Sequence, residues 1–331
     1  MREIRVGAAQ FESRDADREH NLERIRRLTA QAANQGAEVI CFHECCLTGF
    51  TFLENLSGAH LAKLAEPVPD GYSTKALIKI ARKFRVAIGA GLIEVADKRD
   101  LYNTYVVVSP DGFIARHRKL HPFINDNLRA GNEYTVFDLL GCRFGVLTCY
   151  DNNVIENVRT TTLLGADIIL MPHVTGGLPS PMPGRGRILH SVWEHRERDP
   201  MRCRMEFTGP KGRGWLMHWL PARAYDNGIY AVFSNAVGVD ANTIKPGNAM
   251  IVDPYGDVLV ESHALGDDVV VGLLTPDKIE LSGGRRYIRA RRPELYAKLV
   301  EPTPAEEKEK SSSRFADVYW KKHPDEGEPA E

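Results

Sequence analysis

The chain has 331 residues, with 43 Lys and Arg against 44 Asp and Glu, so its formal net charge is −1. This balance does not favour a nucleic-acid partner, which usually requires a basic excess, and no apolar run reaches the roughly 18 residues that span a bilayer. The first residues, MREIRV, pass directly into a strand-like pattern without an apolar leader, so we expect a cytoplasmic protein. The six cysteines include no C-x-x-C pair, so the sequence predicts no structural zinc.

Strand and helix patterns alternate along the first half of the chain. An apolar run at 4–10 is followed by a helical pattern, and a second apolar run covers 36–44. Another helical pattern, with Ser73 as its predicted N-cap, precedes strand-like segments at 85–92 and 103–115. The last segment contains a Pro-Asp-Gly turn, which is typical of a hairpin. The pattern predicts β-α-β-α-β followed by that hairpin.

The second half repeats this order. Strand-like segments occur at 143–151, 165–173 and 228–238, and a second hairpin, with a Pro-Tyr-Gly turn, covers 248–260. Neither half alone can cover both faces of its sheet, so we predict an α/β fold, a four-layer α-β-β-α sandwich built from two similar βαβαβ-hairpin halves. A single doubly wound sheet is the alternative. Because the halves should share one core, we predict one domain over residues 1–301.

Three segments lie outside the repeat. Residues 174–213 are rich in Pro, Gly and Arg, which predicts a long inserted loop with a role in binding. Residues 285–299 form a basic amphipathic pattern, typical of a solvated helix face or a subunit contact. Residues 302–331 are charged and poor in apolar side chains, which predicts a flexible or partner-contacting tail.

Three polar residues lie at or just beyond the ends of predicted strands, where the active residues of parallel α/β proteins collect. They are Glu44, Lys119 and Cys149. Cys149 also precedes a helix predicted to begin near Asn152 or Asn153, and a helix N-terminus lowers the pKa of a thiol. Each residue has a structural interpretation as well: a buried thiol, a carboxylate paired with a cation, or one charge in a basic run. None of them identifies a function alone.

Together with their flanking sequences, these residues resemble the nitrilase superfamily of carbon–nitrogen hydrolases. The resemblance covers about residues 4–275 and rests on CFHECCLTGF around Glu44, RHRKLHPF around Lys119 and GVLTCYDNN around Cys149. The segments GADIILMPH, WLMHWLPARAYDN and GNAMIVDPYGDVLVE match the family too. The resemblance implies the α-β-β-α sandwich and a Glu-Lys-Cys triad in this chain order.

The resemblance also implies a reaction. Cys149 would attack a carbonyl and form a thioester, and Glu44 would take the thiol proton and pass it to the departing amine. Lys119 and the backbone N–H of Tyr150 would stabilise the oxyanion, and no metal or organic cofactor is required. The run Cys149-Tyr150-Asp151 is similar to the amide-hydrolysing branches, so we expect a small amide or N-carbamoyl substrate. Nitrile hydrolysis, acyl transfer to an amine and non-catalytic amide binding are the alternatives.

The chain departs from the family pattern at several positions. His43 precedes the triad glutamate where a proline is usual, and we interpret it as a packing or hydrogen-bonding replacement. Asp126 is the candidate for the second carboxylate that many members carry. Arg202 and Arg204, within the insertion, and His173, just before it, are candidates for substrate binding, although such arginines also commonly face solvent or pair with nearby acids. The family resemblance implies a homodimer or larger homo-oligomer.

Overall fold

The computed structural model describes residues 1–180, 182 and 184–302, so the predicted tail, apart from residue 302, lies outside the described residues. Fourteen strands are described: β1 (Ile4–Gln10), β2 (Val39–Cys41), β3 (Ala87–Val95), β4 (Leu101–Ser109), β5 (Gly112–Arg118), β6 (Thr135–Leu139), β7 (Cys142–Val146), β8 (Ile168–His173), β9 (Tyr230–Asn235), β10 (Val237–Asp240), β11 (Thr243–Pro246), β12 (Met250–Val252), β13 (Val258–Glu261) and β14 (Asp268–Leu274).

The described α-helices are α1 (Arg18–Asn34), α2 (Gly58–Leu64), α3 (Tyr72–Phe84), α4 (Ile155–Leu163), α5 (His190–Glu194), α6 (Pro200–Thr208), α7 (Arg213–Leu216), α8 (Leu220–Asn227), α9 (Pro276–Leu281) and α10 (Gly283–Arg289). Short 3₁₀ turns cover Thr51–Asn55, Asp97–Arg99, Cys149–Asn152, Pro293–Leu295 and Ala297–Val300. Among these described helices, none combines the length and the apolar content needed to cross a membrane.

The two halves form two sheets of the same design. The first sheet has the order β14-β1-β2-β3-β4-β5 and the second has the order β13-β12-β9-β8-β7-β6. In each, three strands run parallel and continue into an antiparallel hairpin, β4–β5 or β12–β13. The sequence prediction of a duplicated unit is therefore confirmed. It missed the edge strands β14 and β6, which pair antiparallel with β1 and β7.

The sheets pack against each other through their inner faces. One apolar cluster combines side chains from both sheets, among them Val6 and Val39 from the first and Phe144 and Ile168 from the second. The outer face of the first sheet packs against α1 and α3, and that of the second against α4 and α8. Strands covered on both faces are continuously apolar. The predicted α-β-β-α sandwich is confirmed.

A hydrogen bond joins the sheets near the end of β2. Ser234 Oγ on β9 donates to the carbonyl oxygen of Cys41 at 2.9 Å. The hydroxyl of Tyr105 on β4 donates to the next carbonyl, that of Phe42, at 2.9 Å. These bonds hold the backbone immediately before Glu44.

The inserted segment 174–213 is more ordered than its composition predicted. It contains α5 and α6, and Asp199 caps α6 by accepting from the backbone N–H of Arg202, with Pro200 at the first helical position. The segment buries its own apolar cluster against β11, so the prediction of a long loop is wrong for this part. The predicted cap of α3 is also wrong, because Gly71 holds the N-cap position and Ser73 donates to Glu66 instead.

Candidate active site

Glu44, Lys119 and Cys149 each lie just beyond a strand end. Glu44 follows β2 and Lys119 follows β5, both in the first sheet, whereas Cys149 follows β7 in the second. Their exposed fractions are 1%, 1% and 6%. The three side chains therefore meet in a buried centre to which both sheets contribute.

An ion pair lies at this centre. Lys119 Nζ donates to Glu44 Oε1 at 2.6 Å, and Asn103 Nδ2 donates to the same oxygen at 2.6 Å. The carbonyl oxygen of Asn103 accepts from the backbone N–H of Lys119 at 2.8 Å, so one residue of β4 orients both partners. Glu44 Oε2 has no hydrogen-bond partner among the described residues. The carboxylate thus keeps one oxygen for further chemistry.

Lys119 is held in its charged form. Burial by itself lowers the pKa of this ammonium, but the negative charges of Glu44, Cys149 and Asp151 outweigh it and raise the pKa above its ordinary value. The ring centroids of Phe50 and Phe123 lie 5.4 and 4.8 Å from Nζ, close enough for cation–π attraction. A permanently protonated lysine acts as a donor and a positive charge, not as a base.

Cys149 begins the 3₁₀ turn Cys149–Asn152 with a φ of 51°. A non-glycine residue adopts this left-handed conformation only where its surroundings enforce it. Burial first, and then the charge of Glu44, raise the pKa of the thiol to about 12, while Lys119 and the backbone N–H of Val174 act in the opposite direction. The predicted lowering by a helix N-terminus is wrong, because α4 begins only at Ile155. At neutral pH this raised pKa keeps Cys149 as a neutral thiol.

The carboxylate of Asp151 joins the turn that begins at Cys149 to the residues on either side of Lys119. It accepts from four groups at 2.9–3.1 Å: the backbone N–H of Thr148, Leu120 and His121, and Nε2 of His117. Burial raises the pKa of this carboxyl, but the hydrogen bond and charge of His117, together with the charge of Lys119, bring it below its ordinary value. Asp151 is therefore a buried anion that fixes Lys119 relative to Cys149.

Close backbone packing fixes the glutamate turn. A Cβ atom on Gly91 of β3 would lie 2.2 Å from the backbone nitrogen of Cys45, far inside contact distance. Only glycine lets the turn that carries Glu44 approach the sheet this closely.

A cavity of about 220 Å³ opens at Cys149. Its walls are mainly apolar, and two cationic side chains, Arg185 and Lys211, contribute to them, the latter paired with Glu206 at 2.8 Å. The lining residues are Phe123, Cys149, Tyr150, Asn153, Val174, Thr175, Gly176, Gly177, Leu178, Pro179, Ser180, Met182, Arg185, Gly186, Pro210, Lys211 and Trp215. This described lining contains no acidic side chain.

Comparison with known proteins identifies the family. The family model described as carbon-nitrogen hydrolase matches residues 5–282 of the chain. The chain belongs to the carbon–nitrogen hydrolase family. The resemblance expected from six short segments therefore extends over most of the described residues.

Several relatives of this carbon–nitrogen hydrolase are known. It is 31% identical over 304 residues to an (R)-stereoselective amidase of a Pseudomonas species, which covers 90% of this chain and 95% of the relative. It is 28% identical over 271 residues to a nitrilase of Pyrococcus abyssi, with 81% and 88% covered. An amidase from Nesterenkonia sp. AN1, solved in complex with butyramide, has the same fold, with a TM-score of 0.66, 21% identity, and 90% of this chain and 97% of that chain covered.

The arginine that lines the cavity of this hydrolase is Arg185, and not the predicted Arg202 or Arg204. Arg202 and Arg204 are exposed on α6, and Arg204 Nη1 donates to the carbonyl oxygen of His263 at 2.9 Å. Neither lines the cavity, whereas Arg185 does, and its Nε has no hydrogen-bond partner among the described residues. The sequence signal for Arg185 was only its place in the Arg-rich insertion.

Two histidines of the hydrolase lie in the core. His173 is fully buried, its ring centroid is 5.4 Å from that of Trp219, and burial lowers its pKa to about 3. His43 is also fully buried, with its ring centroid 4.5 Å from that of Phe11, and burial lowers its pKa to about 3. Neither of them lines the cavity. Such histidines are neutral packing groups at ordinary pH.

Of the two remaining predicted site residues, one lies at the cavity and the other does not. Tyr150 lines the cavity beside Cys149, whereas Asp126 is exposed and does not line it. Within the described part of the chain, no group of three or more His, Cys, Asp or Glu side chains could hold a metal ion.

Proposed function

We propose that this carbon–nitrogen hydrolase cleaves small linear amides through a thioester on Cys149. The observation that carries the proposal is the buried pair of Glu44 and Lys119, joined at 2.6 Å, whose charges both act on the Cys149 thiol at the end of the cavity. A base, a fixed cation and a nucleophile in one desolvated centre are the parts that acyl transfer requires.

The charges assign the base. The Cys149 thiol, with its pKa near 12, is neutral at physiological pH, so its proton must leave as the sulfur attacks. Lys119 cannot accept that proton because its pKa is raised. Glu44 is the remaining acceptor, and its unpartnered Oε2 is free to take the proton.

The oxyanion that forms on the substrate needs donors. Lys119 supplies one charged donor from the first sheet, and the backbone N–H of Tyr150, next to the nucleophile, supplies the other. Glu44 then gives its proton to the departing nitrogen, and the carbon–nitrogen bond breaks to leave the thioester. A water molecule loses a proton to Glu44, attacks the thioester and releases the acid with the thiol restored.

The choice of amides rests on the relatives and on the cavity. Relatives are named (R)-stereoselective amidase and omega-amidase, while another is named nitrilase, which keeps nitrile hydrolysis as the second candidate. N-carbamoyl compounds would use the same steps. The apolar walls suit an apolar acyl or amine portion, and Arg185 suits a carboxylate at its far end.

Ammonia release from a panel of primary amides, N-carbamoyl amino acids and nitriles tests the proposal. We expect ammonia from amides, and a mass increase on Cys149 equal to the acyl group when hydrolysis is slow. Cys149→Ala should reduce turnover by about 10⁴-fold or more, and Lys119→Met by at least about 10²-fold.

Cys203→Ala is the matched control, because Cys203 is likewise buried and unpaired by a disulfide but lies in the apolar cluster of the insertion. It should keep wild-type turnover. Turnover that survives in Cys149→Ala would refute the thioester route, and ammonia from nitriles alone would refute the choice of amides.

We further propose that residues 1–301 act as one domain and that the protein works in the cytoplasm. We also propose that the chain forms homo-oligomers. Exposed apolar side chains on α4, α8 and α10, including Ile155, Leu163, Tyr225 and Tyr287, support self-association. Sedimentation of the full chain would show a single monomeric species if this proposal is wrong.

A further inference from the structure

A second lysine, Lys245, is fully buried near the cavity. Lys245 lies on β11, which pairs with β10 in a two-stranded ribbon. The ribbon contacts the cavity wall, because a Cβ atom on Gly177, a lining residue, would lie 2.0 Å from the carbonyl oxygen of Ile244. Ile244, the residue before Lys245, packs into the apolar cluster of the insertion. Because side chains alternate along a strand, Lys245 points the other way, and its exposed fraction is 0%.

The Lys245 ammonium lacks a hydrogen-bond acceptor among the described residues. The nearest carboxylate oxygen, Asp240 Oδ2, is 3.7 Å from Nζ, which allows an ion pair but no hydrogen bond. Asp240 is committed elsewhere, because its oxygens accept from the backbone N–H of Thr51 at 3.0 Å and from the Thr51 hydroxyl at 2.5 Å. A buried cation in this state is costly to the fold.

Three anionic or ionisable groups act on Lys245: Asp240 from its own ribbon, Glu44 from the first sheet and Cys149 from the second. Burial lowers the pKa of the ammonium, and the charges of these groups oppose that change without reversing it. Lys245 therefore lies within electrostatic range of the two groups that exchange the proton. The geometry links it to the Glu44–Lys119 pair through Asp240: Asp240 accepts from the backbone N–H of Thr51, and the ring of the preceding residue, Phe50, lies 5.4 Å from Lys119 Nζ.

We propose that Lys245 is a positioning residue whose positive charge stabilises the negative charge that passes between Glu44 and Cys149. This inference rests on the proposed function and deepens it. Lys119 contacts Glu44 and donates to the oxyanion, whereas Lys245 makes no contact that the chemistry needs and acts at longer range. Without it, negative charge in the centre costs more, and the thiolate forms only at higher pH.

The test replaces Lys245 with methionine, which keeps the length and volume of the side chain. Alkylation of Cys149 by iodoacetamide, followed by mass spectrometry across pH, reports thiolate formation without any substrate. We expect alkylation about tenfold slower at a given pH, and the acid side of the kcat/KM profile displaced upward by about one pH unit. A structural role would lower the folded fraction without moving the profile.

Lys278→Met is the matched control, because Lys278 also pairs with a buried aspartate, Asp253, but at the β12–β13 hairpin. It should leave both profiles in place. The double variant Lys245→Met/Asp240→Asn removes both charges of the buried pair, so it leaves no unpaired carboxylate in the core and guards against misfolding. It should shift both pH profiles in the same direction as Lys245→Met, by a smaller amount.

Unshifted profiles in folded Lys245→Met and in the double variant would overturn the inference. Failure of the proposed function is a separate result, because it would appear in the wild-type protein as absent amide turnover, whereas the alkylation profile needs no turnover.

Discussion

Replacing Asp151 with asparagine tests the link between the residues around Lys119 and the turn that begins at Cys149. Asparagine has almost the same shape but keeps one acceptor oxygen, so one of the donors facing the carboxylate meets an NH₂ group and loses its acceptor. The orphaned N–H costs about 1–2 kcal/mol, and the loss of charge weakens the other three contacts by about 1 kcal/mol each. The four contacts at 2.9–3.1 Å therefore predict a loss of about 4–5 kcal/mol.

Urea unfolding followed by tryptophan fluorescence at pH 7 measures this loss. Asp138→Asn is the control: its carboxylate is 76% exposed and 3.6 Å from Arg143, so it should change stability by no more than about 1 kcal/mol. The kcat of Asp151→Asn should fall at least about tenfold, since Lys119 and Cys149 lose their common anchor. A variant within about 1 kcal/mol of wild type would refute the reasoning.

The pH dependence of the same experiment has a definite sign. The pKa of Asp151 is lower in the folded protein than in the unfolded chain, so the folded state binds fewer protons at this site. Its contribution to stability is complete above the unfolded value of about 3.9 and is lost as the pH falls through the lower, folded pKa. The difference between wild type and Asp151→Asn should therefore be constant at neutral pH and shrink only in strong acid.

Three further substitutions have definite expected outcomes. Gly91→Ala would force its Cβ against the backbone of Cys45, so we expect both lower stability in urea and a lower kcat. His43→Leu removes a buried ring with two unpartnered nitrogens, so we expect unchanged turnover and stability that is equal or higher, with the gain largest below pH 6.5, where the unfolded histidine binds a proton. Arg185→Gln should raise the KM of carboxylate-bearing amides about tenfold or more and leave uncharged amides unchanged, whereas Arg204→Gln should alter neither; equal KM effects on both substrate classes would refute a carboxylate role.

The sequence predicted the parts of the fold that depend on local pattern. The apolar runs of β1 and β8 and the two hairpins were recognised because continuous apolar runs and turn residues are local signals. The edge strand β14 was missed because its partner β1 is distant in the sequence, so only the tertiary fold decides that pairing, whereas β6 was missed although it forms a local hairpin with β7. The positions of Glu44, Lys119 and Cys149 beyond strand ends followed from the parallel order of the strands.

Other features depend on packing that the sequence does not display. The pKa of Cys149 was predicted with the wrong sign, because the expected helix begins at Ile155 and burial beside Glu44 outweighs any dipole. Arg185, and neither Arg202 nor Arg204, lines the cavity, because the segment before α5 reaches the cavity, whereas both arginines on α6 are exposed. The electrostatic position of Lys245 arises from three segments that are distant in sequence.

The two sheets divide the proposed chemistry between them, since Glu44 and Lys119 belong to one and Cys149 to the other. The distance between Glu44 and Cys149 therefore depends on how the two sheets pack against each other. The hydrogen bond between Ser234 and Cys41, which joins the sheets, lies only three residues before Glu44. A slip of one sheet by an ångström would leave each half intact and the enzyme inert. Substitutions in the apolar cluster between the sheets should accordingly lower the catalytic rate before any loss of secondary structure is detectable.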